Sequence, residues 1–221
     1  MTVAARGVVD AVLVDFGGVL TTSVIDAFSE FGAELGDPGL PIRLLAGDAE
    51  SKALLADHES GRIDADAFEQ GFAGRLRAHG VEVEAAGLQA RMQSRLRPDE
   101  QMLDLVDRLR RAGTPVALVS NAFGRDCYAG FDLTSLADEV VISSELGVRK
   151  PSRRIYQEAC RLLEVRPQSA VMIDDLQQNL DGAARLGIAG ILHTSAAETE
   201  SRLADRFGIE APRRLISDGR R

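Results

Sequence analysis

Val9-Asp10-Ala11-Val12-Leu13-Val14-Asp15-Phe16-Gly17-Gly18 is an apolar, β-branched run that stops on an acid and two glycines. Its texture predicts a buried strand over 9–14 with a tight turn at its carboxyl end. Four later runs share that texture: Val116 to Val119, Val140 to Ile142, Ala170 to Ile173 and Ala189 to Leu192. Helical patterns separate them. Met102, Leu105, Val106, Leu109 and Ala112 recur on one face, with Pro98 near the start and Gly113 just past the end, and Ile155, Ala159, Leu162 and Leu163 repeat the pattern. Strands alternating with single helices require right-handed crossovers, so the expected fold class is α/β, a doubly wound, mainly parallel sheet covered on both faces.

One interval breaks the rhythm, because about a hundred residues separate the first strand from the second, far more than one crossover helix needs. Residues 22–97 carry helical patterns over Ile25 to Leu35, Leu40 to Ala46, Lys52 to Asp57, Asp64 to Ala78 and Ala85 to Leu96, broken by Gly36, Pro38, Gly47, Gly61 and Gly80. The expected organisation is a sheet domain from 1–21 and 98–221 with a small helical module, 22–97, set into it.

The 221 residues include 26 Lys+Arg and 34 Asp+Glu, a formal charge of −8, with 45% hydrophobic and 27% charged residues. That composition supports a proper core. The acidic balance argues against a dedicated nucleic-acid binder, which needs a basic surface. The apolar run Val8 to Leu20 is interrupted by Asp10 and Asp15, so it reads as neither a membrane span nor a signal-peptide core, and a cytoplasmic setting is expected. Cys127 and Cys160 are expected as reduced thiols, and Arg213, Arg214, Arg220 and Arg221 as a solvated tail.

Ligands of open α/β sheets bind beyond the carboxyl ends of the strands. There the sequence puts Asp15 with Phe16-Gly17-Gly18, then Ser120-Asn121, then Lys150-Pro151, then Asp174-Asp175. Three carboxylates, a hydroxyl, an amide and an ammonium would converge on one crevice. Paired carboxylates repel unless a cation or a shared proton relieves them, and oxygen ligands of this kind suit Mg²⁺, which shares its shell with water and phosphate. Lys150 and the Ser120 hydroxyl would then hold phosphate oxygens.

Asp15-Phe16-Gly17-Gly18-Val19-Leu20, Ser120-Asn121, Gly147-Val148-Arg149-Lys150-Pro151 and Ile173-Asp174-Asp175 followed by Asn179 and Gly182-Ala183-Ala184 resemble the motifs of the haloacid dehalogenase (HAD) superfamily. The resemblance covers nearly the whole chain. It is to the subclass with a helical cap inserted after the first strand, and to phosphatase-like members similar to the N-terminal domain of soluble epoxide hydrolase. It implies Asp15 as nucleophile and metal ligand, Ser120 and Asn121 as binders of the phosphoryl group, and Lys150 as the neutraliser of its charge. Asp175 supported by Asp174 would complete a Mg²⁺ site, and the substrate would be a small phosphorylated metabolite. A carboxylate attacks phosphorus in line when the anions are screened and positioned, forming an aspartyl phosphate that water then opens.

The chain departs from the family pattern at Gly17. Typical family phosphatases carry there a second Asp that protonates the leaving oxygen and later activates water. A glycine keeps the backbone carbonyl for the metal but loses the acid, a group worth roughly 10² to 10⁴ in rate. Hydrolysis should therefore favour esters whose leaving group tolerates departure as an anion: acyl phosphates, aryl phosphates and sugar 1-phosphates. His58, Glu59 and Arg62, at a helical break in the inserted module, are candidates for a replacement donor, although charged side chains there are ordinarily solvated.

Other readings compete. Haloacid dehalogenases also lack the second Asp, but work without metal and generally lack an acidic pair such as Asp174-Asp175. Phosphonate cleavage would need a Schiff-base lysine, and Lys52 is the one lysine of the module. A catalytically weak or inactive phosphate-binding or interaction module is the non-enzymatic alternative. Receiver domains use similar residues in the opposite order. The kinase-like tripeptide Asp15-Phe16-Gly17 has no glycine-rich loop or catalytic segment before it. No nicotinamide, zinc or ATP motif is present. Oligomeric state is not legible.

Overall fold

The computed structural model describes residues 10–207. Val8, Val9 and the tail arginines named above lie outside the described residues. The elements run β1 (Ala11–Val14), α1 (Val24–Glu34), α2 (Leu40–Gly47), α3 (Ala49–Glu59), α4 (Ala65–Ala78), α5 (Leu88–Gln93), α6 (Glu100–Arg111), β2 (Val116–Ser120), α7 (Leu133–Leu136), β3 (Glu139–Ile142), α8 (Ser143–Leu146), α9 (Arg153–Leu162), β4 (Ala170–Asp174), α10 (Gln177–Ala184), β5 (Ala189–Leu192) and α11 (Ala196–Arg202). Two helices differ in extent from the periodicity. The segment expected over Ala85 to Leu96 is helical only in α5, because Gly87, at φ 73°, turns the chain immediately before it. The segment expected over Lys52 to Asp57 is longer, since Asp48 accepts from the Ser51 N–H and caps α3 earlier.

All strand pairs are parallel, in the order β3-β2-β1-β4-β5. The chain moves outward from β1 to β3, then returns to the other side of β1 as β4, so the order reverses between β1 and β4. At that switch point the loops diverge and leave a crevice. Side-chain alternation divides the core into two layers. Val12, Val14, Val116, Leu118, Val171 and Ile173 pack with Met102, Leu105 and Leu109 of α6. Leu13, Ala117, Val119 and Met172 pack with Ile155, Tyr156 and Ala159 of α9 and Leu180 of α10. Helices on both faces explain why β1, β2 and β4 are buried throughout.

Helices α1 to α5 share a separate apolar cluster that includes Phe28, Phe31, Phe68, Phe72, Leu76, Leu88 and Met92. They form a helical cap. Its entry and exit chains run side by side, with the Thr22 N–H donating to the Arg97 carbonyl at 2.8 Å and the Asp99 N–H to the Leu20 carbonyl at 2.9 Å. The cap also meets the sheet domain at its far side, where Ser143 Oγ donates to the Glu59 carbonyl at 2.5 Å and Gln93 Nε2 to the Phe123 carbonyl at 2.5 Å. It therefore lies over the carboxyl edge of the sheet. No helix among the described residues is long and apolar enough to cross a membrane.

Candidate active site

Asp15 follows β1 directly and Asp174 is the last residue of β4, so the parallel pairing of Val14 with Ile173 sets the two acids next to each other. Between them lies Lys150, 1% exposed, its Nζ 2.6 Å from Asp15 Oδ1 and 2.8 Å from Asp174 Oδ2. Burial works against the ammonium, but the two carboxylates outweigh it and hold its pKa above the ordinary lysine value. Lys150 is kept in place from β2: Asn121 Oδ1 accepts from the Lys150 N–H at 2.7 Å, and Asn121 Nδ2 donates to the Lys150 carbonyl at 3.3 Å.

Asp15, Asp174 and Asp175 each bring one oxygen within 4.8 Å of the others. Asp174 is heavily engaged. Its Oδ1 accepts from Asn179 Nδ2 and from the Leu176 N–H, both at 2.9 Å, while its Oδ2 meets Lys150. On Asp15 both the Phe16 N–H, at 2.7 Å, and the Lys150 ammonium fall on Oδ1. Asp175 lies against the backbone of Gly18, where a Cβ would come 2.3 Å from its Oδ2 and where φ is 77°. Glycine is thus needed there for both the turn and the approach.

Two of the carboxylates bind one ammonium and the third lies beside them, which leaves negative charge in a largely buried cluster. Burial pushes the Asp15 carboxyl well above the ordinary carboxylate range, with Asp174 and Asp175 adding to the push and Lys150 opposing it. Burial and the neighbouring Asp174 charge raise Asp175 to about 6, against Lys150. A hard divalent cation among these oxygens would relieve both effects, so the donor set fits one.

Ser120, the last residue of β2, is buried and accepts at Oγ from the Tyr128 hydroxyl at 2.8 Å. Ser120, Asn121, Lys150, Asp15, Gly17 and Asp175 all line one cavity of about 640 Å³ between the sheet edge and the cap. Gly17 has no room for a side chain as things stand, because a Cβ would lie 2.9 Å from Val24 Cγ2 of α1.

The cap residues weighed as proton donors part company. Arg62 is exposed and pairs with Asp57 at 2.6 Å, as a solvated residue would. The expectation of solvated side chains fails for the other two. His58 is buried, stacked on Phe68 at 4.6 Å, its Nε2 2.9 Å from Gln89 Nε2. It faces the cap's own core. Glu59, on the last turn of α3, has a side chain only 12% exposed, lines the cavity, and has its Oε2 2.5 Å from Arg149 Nε. Burial raises its carboxyl to about 7, against Arg149 and Lys150. Among the lining residues to which the sequence gives no catalytic or binding role are Arg149, next to Lys150, and Cys127, next to Tyr128.

A capped parallel sheet with acids at the ends of β1 and β4 and a lysine between them is the class of hydrolase that the motifs resemble. The chain belongs to the haloacid dehalogenase-like hydrolase family, whose model matches residues 9–187. Among curated relatives, the glyceraldehyde 3-phosphate phosphatase of Methanopyrus kandleri is 40% identical over 84 residues, 35% of this chain and 36% of that protein. The chain thus matches only about a third of the length of that relative. The sesquiterpene phosphatase astK of Aspergillus oryzae is 24% identical over 203 residues, 90% of this chain and 96% of that protein. Among solved structures, the HAD-family enzyme bt-2542 of Bacteroides thetaiotaomicron, in complex with magnesium and inorganic phosphate, superposes with a TM-score of 0.62 at 22% identity over 84% of this chain and 94% of its own. That last likeness is one of fold.

Proposed function

We propose that this protein is a Mg²⁺-dependent phosphomonoesterase that acts on a small phosphorylated metabolite through a phosphorylated Asp15. The observation that carries the reading is the convergence of Asp15, Asp174 and Asp175, with Lys150 bridging the first two, beside one cavity. The phosphatase names of two relatives support it. In this reading residues 22–97 are the cap and residues 1–21 and 98–221 the core. The partner is a small molecule, not a nucleic acid or a membrane, and the setting is cytoplasmic.

Asp15, the Gly17 carbonyl and Asp175 would hold the cation, with Asp174 behind them, and a bound Mg²⁺ supplies screening between the attacking carboxylate and the phosphate. Lys150 and the Phe16 N–H fix the Asp15 carboxylate through Oδ1, and the carboxylate oxygen that does not hold the cation attacks phosphorus. The Asp15 O–P bond forms as the P–O ester bond breaks, and the alcohol oxygen departs with the bonding pair and takes a proton. Lys150, Ser120 and Asn121 hold the phosphoryl oxygens, and Asn121 also keeps Lys150 in register. Water then adds at phosphorus, releases inorganic phosphate and restores the carboxylate. With Gly17 in place of an acid, Glu59 is the cavity carboxyl that can bring the proton, and esters of acidic alcohols need it least.

The test is a screen of phosphorylated metabolites with and without Mg²⁺, against the wild type and Asp15→Asn. Metal-dependent turnover lost in the variant, with phosphate trapped on the peptide carrying Asp15, is expected. Turnover that survives Asp15→Asn overturns the assignment. Halide release from a 2-haloacid without metal would favour a dehalogenase, and no turnover at all a binding module.

A further inference from the structure

The cavity over Asp15 extends away from the acidic cluster into a chamber walled by Phe28 of α1, Ile42 and Leu45 of α2, Leu55 of α3, Leu96 and Phe123. Phe28 and Leu45 are core residues of the cap, while Ile42, Leu55, Leu96 and Phe123 pack on that core from its edge and keep part of their surface free. Among the described residues only two large apolar side chains are exposed, Ile25 at 50% and Leu176 at 36%, and both line this same cavity, one from the cap and one from the sheet domain. Scattered exposed apolar residues mean little, but two that face a common chamber mark where apolar surface is meant to be covered.

Outside the catalytic cluster the polar side chains of the lining are Lys52, Glu59, Gln93, Arg149, Gln178 and Asn179, and four of the six are committed, Asn179 to Asp174. Glu59 and Arg149 pair with each other, and Gln93 donates to the Phe123 carbonyl. Lys52 is the remaining charged residue of the lining outside the catalytic cluster. A sugar or polyol seated here would turn hydroxyls against phenyl and alkyl groups and lose their hydrogen bonds to water. An apolar group would lose nothing and would release the water held against Ile25 and Leu176.

We propose that the organic part of the substrate is an apolar alcohol or phenol, so that the enzyme hydrolyses monophosphate esters of lipophilic hydroxyl compounds in preference to those of sugars and polyols. The proposal rests on the phosphatase reading above and adds its substrate class. The phosphate would sit at Lys150 and Ser120, and the hydrocarbon would run between Phe28, Leu45 and Phe123 toward the rim at Ile25 and Leu176.

A series of 4-alkylphenyl phosphates from methyl to octyl tests it, because the acidity of the leaving phenol stays nearly constant and chain length reports contact with the chamber. The expected result is a kcat/KM that rises about fourfold per added methylene, mainly through KM, until the chamber is filled, and that exceeds the value for glucose 6-phosphate. Ile25→Ser and Leu176→Ser, at exposed positions that leave the core intact, should each flatten the slope. A flat or falling series with phenyl phosphate still turned over overturns the substrate class and spares the phosphatase reading. No turnover of any member, phenyl phosphate included, overturns the phosphatase reading instead. In that event calorimetry with n-alkylphosphonates decides the chamber: affinity that grows with chain length and a negative heat-capacity change support it, and affinity independent of chain length overturns it.

Discussion

Val24 Cγ2 stands 2.9 Å from the point where a Cβ on Gly17 would lie. The volume that a side chain would need two residues after the candidate nucleophile is thus filled from the first helix of the cap. Because Gly17 does not hold a positive φ, crowding rather than backbone geometry is what opposes a larger residue there. Gly17→Asp alone should cost stability and give little activity. Gly17→Asp combined with Val24→Ala should fold well and raise kcat on simple alkyl phosphates by about 10²-fold, the usual worth of a general acid. Single-turnover rates on an alkyl and an aryl ester in the four proteins of this cycle check it.

Gly18→Ala should weaken magnesium binding by about 10- to 100-fold, since the new methyl group must displace the Asp175 carboxylate. The left-handed backbone adds about 1–2 kcal/mol of instability. Gly113→Ala is the control, for its φ is 87° and nothing lies within 4 Å of a Cβ there. It should lose similar stability and bind magnesium normally by calorimetric titration.

Lys150→Met should destabilise the metal-free protein by about 3–5 kcal/mol in urea denaturation, because Asp15 and Asp174 would remain buried without their cation. Adding Asp15→Asn should recover part of that loss, so the two substitutions will not add.

The raised carboxyl of Glu59 makes stability depend on pH with a definite sign. A group protonated more readily in the folded state than in the unfolded chain imposes no penalty below the unfolded pKa and its full penalty above the folded one. Stability of the metal-free protein should therefore fall as pH rises from about 4.5 to about 7, by about 3 kcal/mol at most. Glu59→Gln should flatten that fall in denaturation curves taken across the range. If Glu59 also delivers the proton, kcat on alkyl esters should decline above pH 7 in the wild type, and the decline should vanish in the variant while p-nitrophenyl phosphate is turned over nearly as before.

The strands were legible because β1, β2 and β4 are covered on both faces, and a fully buried strand has to be an unbroken apolar run. Their last residues were legible for the same reason: an acid or hydroxyl that ends such a run, Asp15, Ser120 or Asp174, stands at the sheet edge whatever the loops do. The cap helices were visible as periodic patterns, and their ends shifted where Asp48 or Gly87 set the local geometry.

What a linear reading determined is accordingly the parallel α/β core, the inserted helical cap and the group of polar residues at the strand ends, all properties of residues close together in the chain. What only tertiary packing decided is which side of each cap helix meets the site. Glu59 faces the cavity while His58 beside it faces Phe68, Val24 fills the space over Gly17, and Ile25, Leu45 and Phe123 wall one chamber. Helical periodicity gives a residue's place on its own helix, but the rotation and docking of that helix come from contacts with elements tens of residues away, which no local pattern encodes.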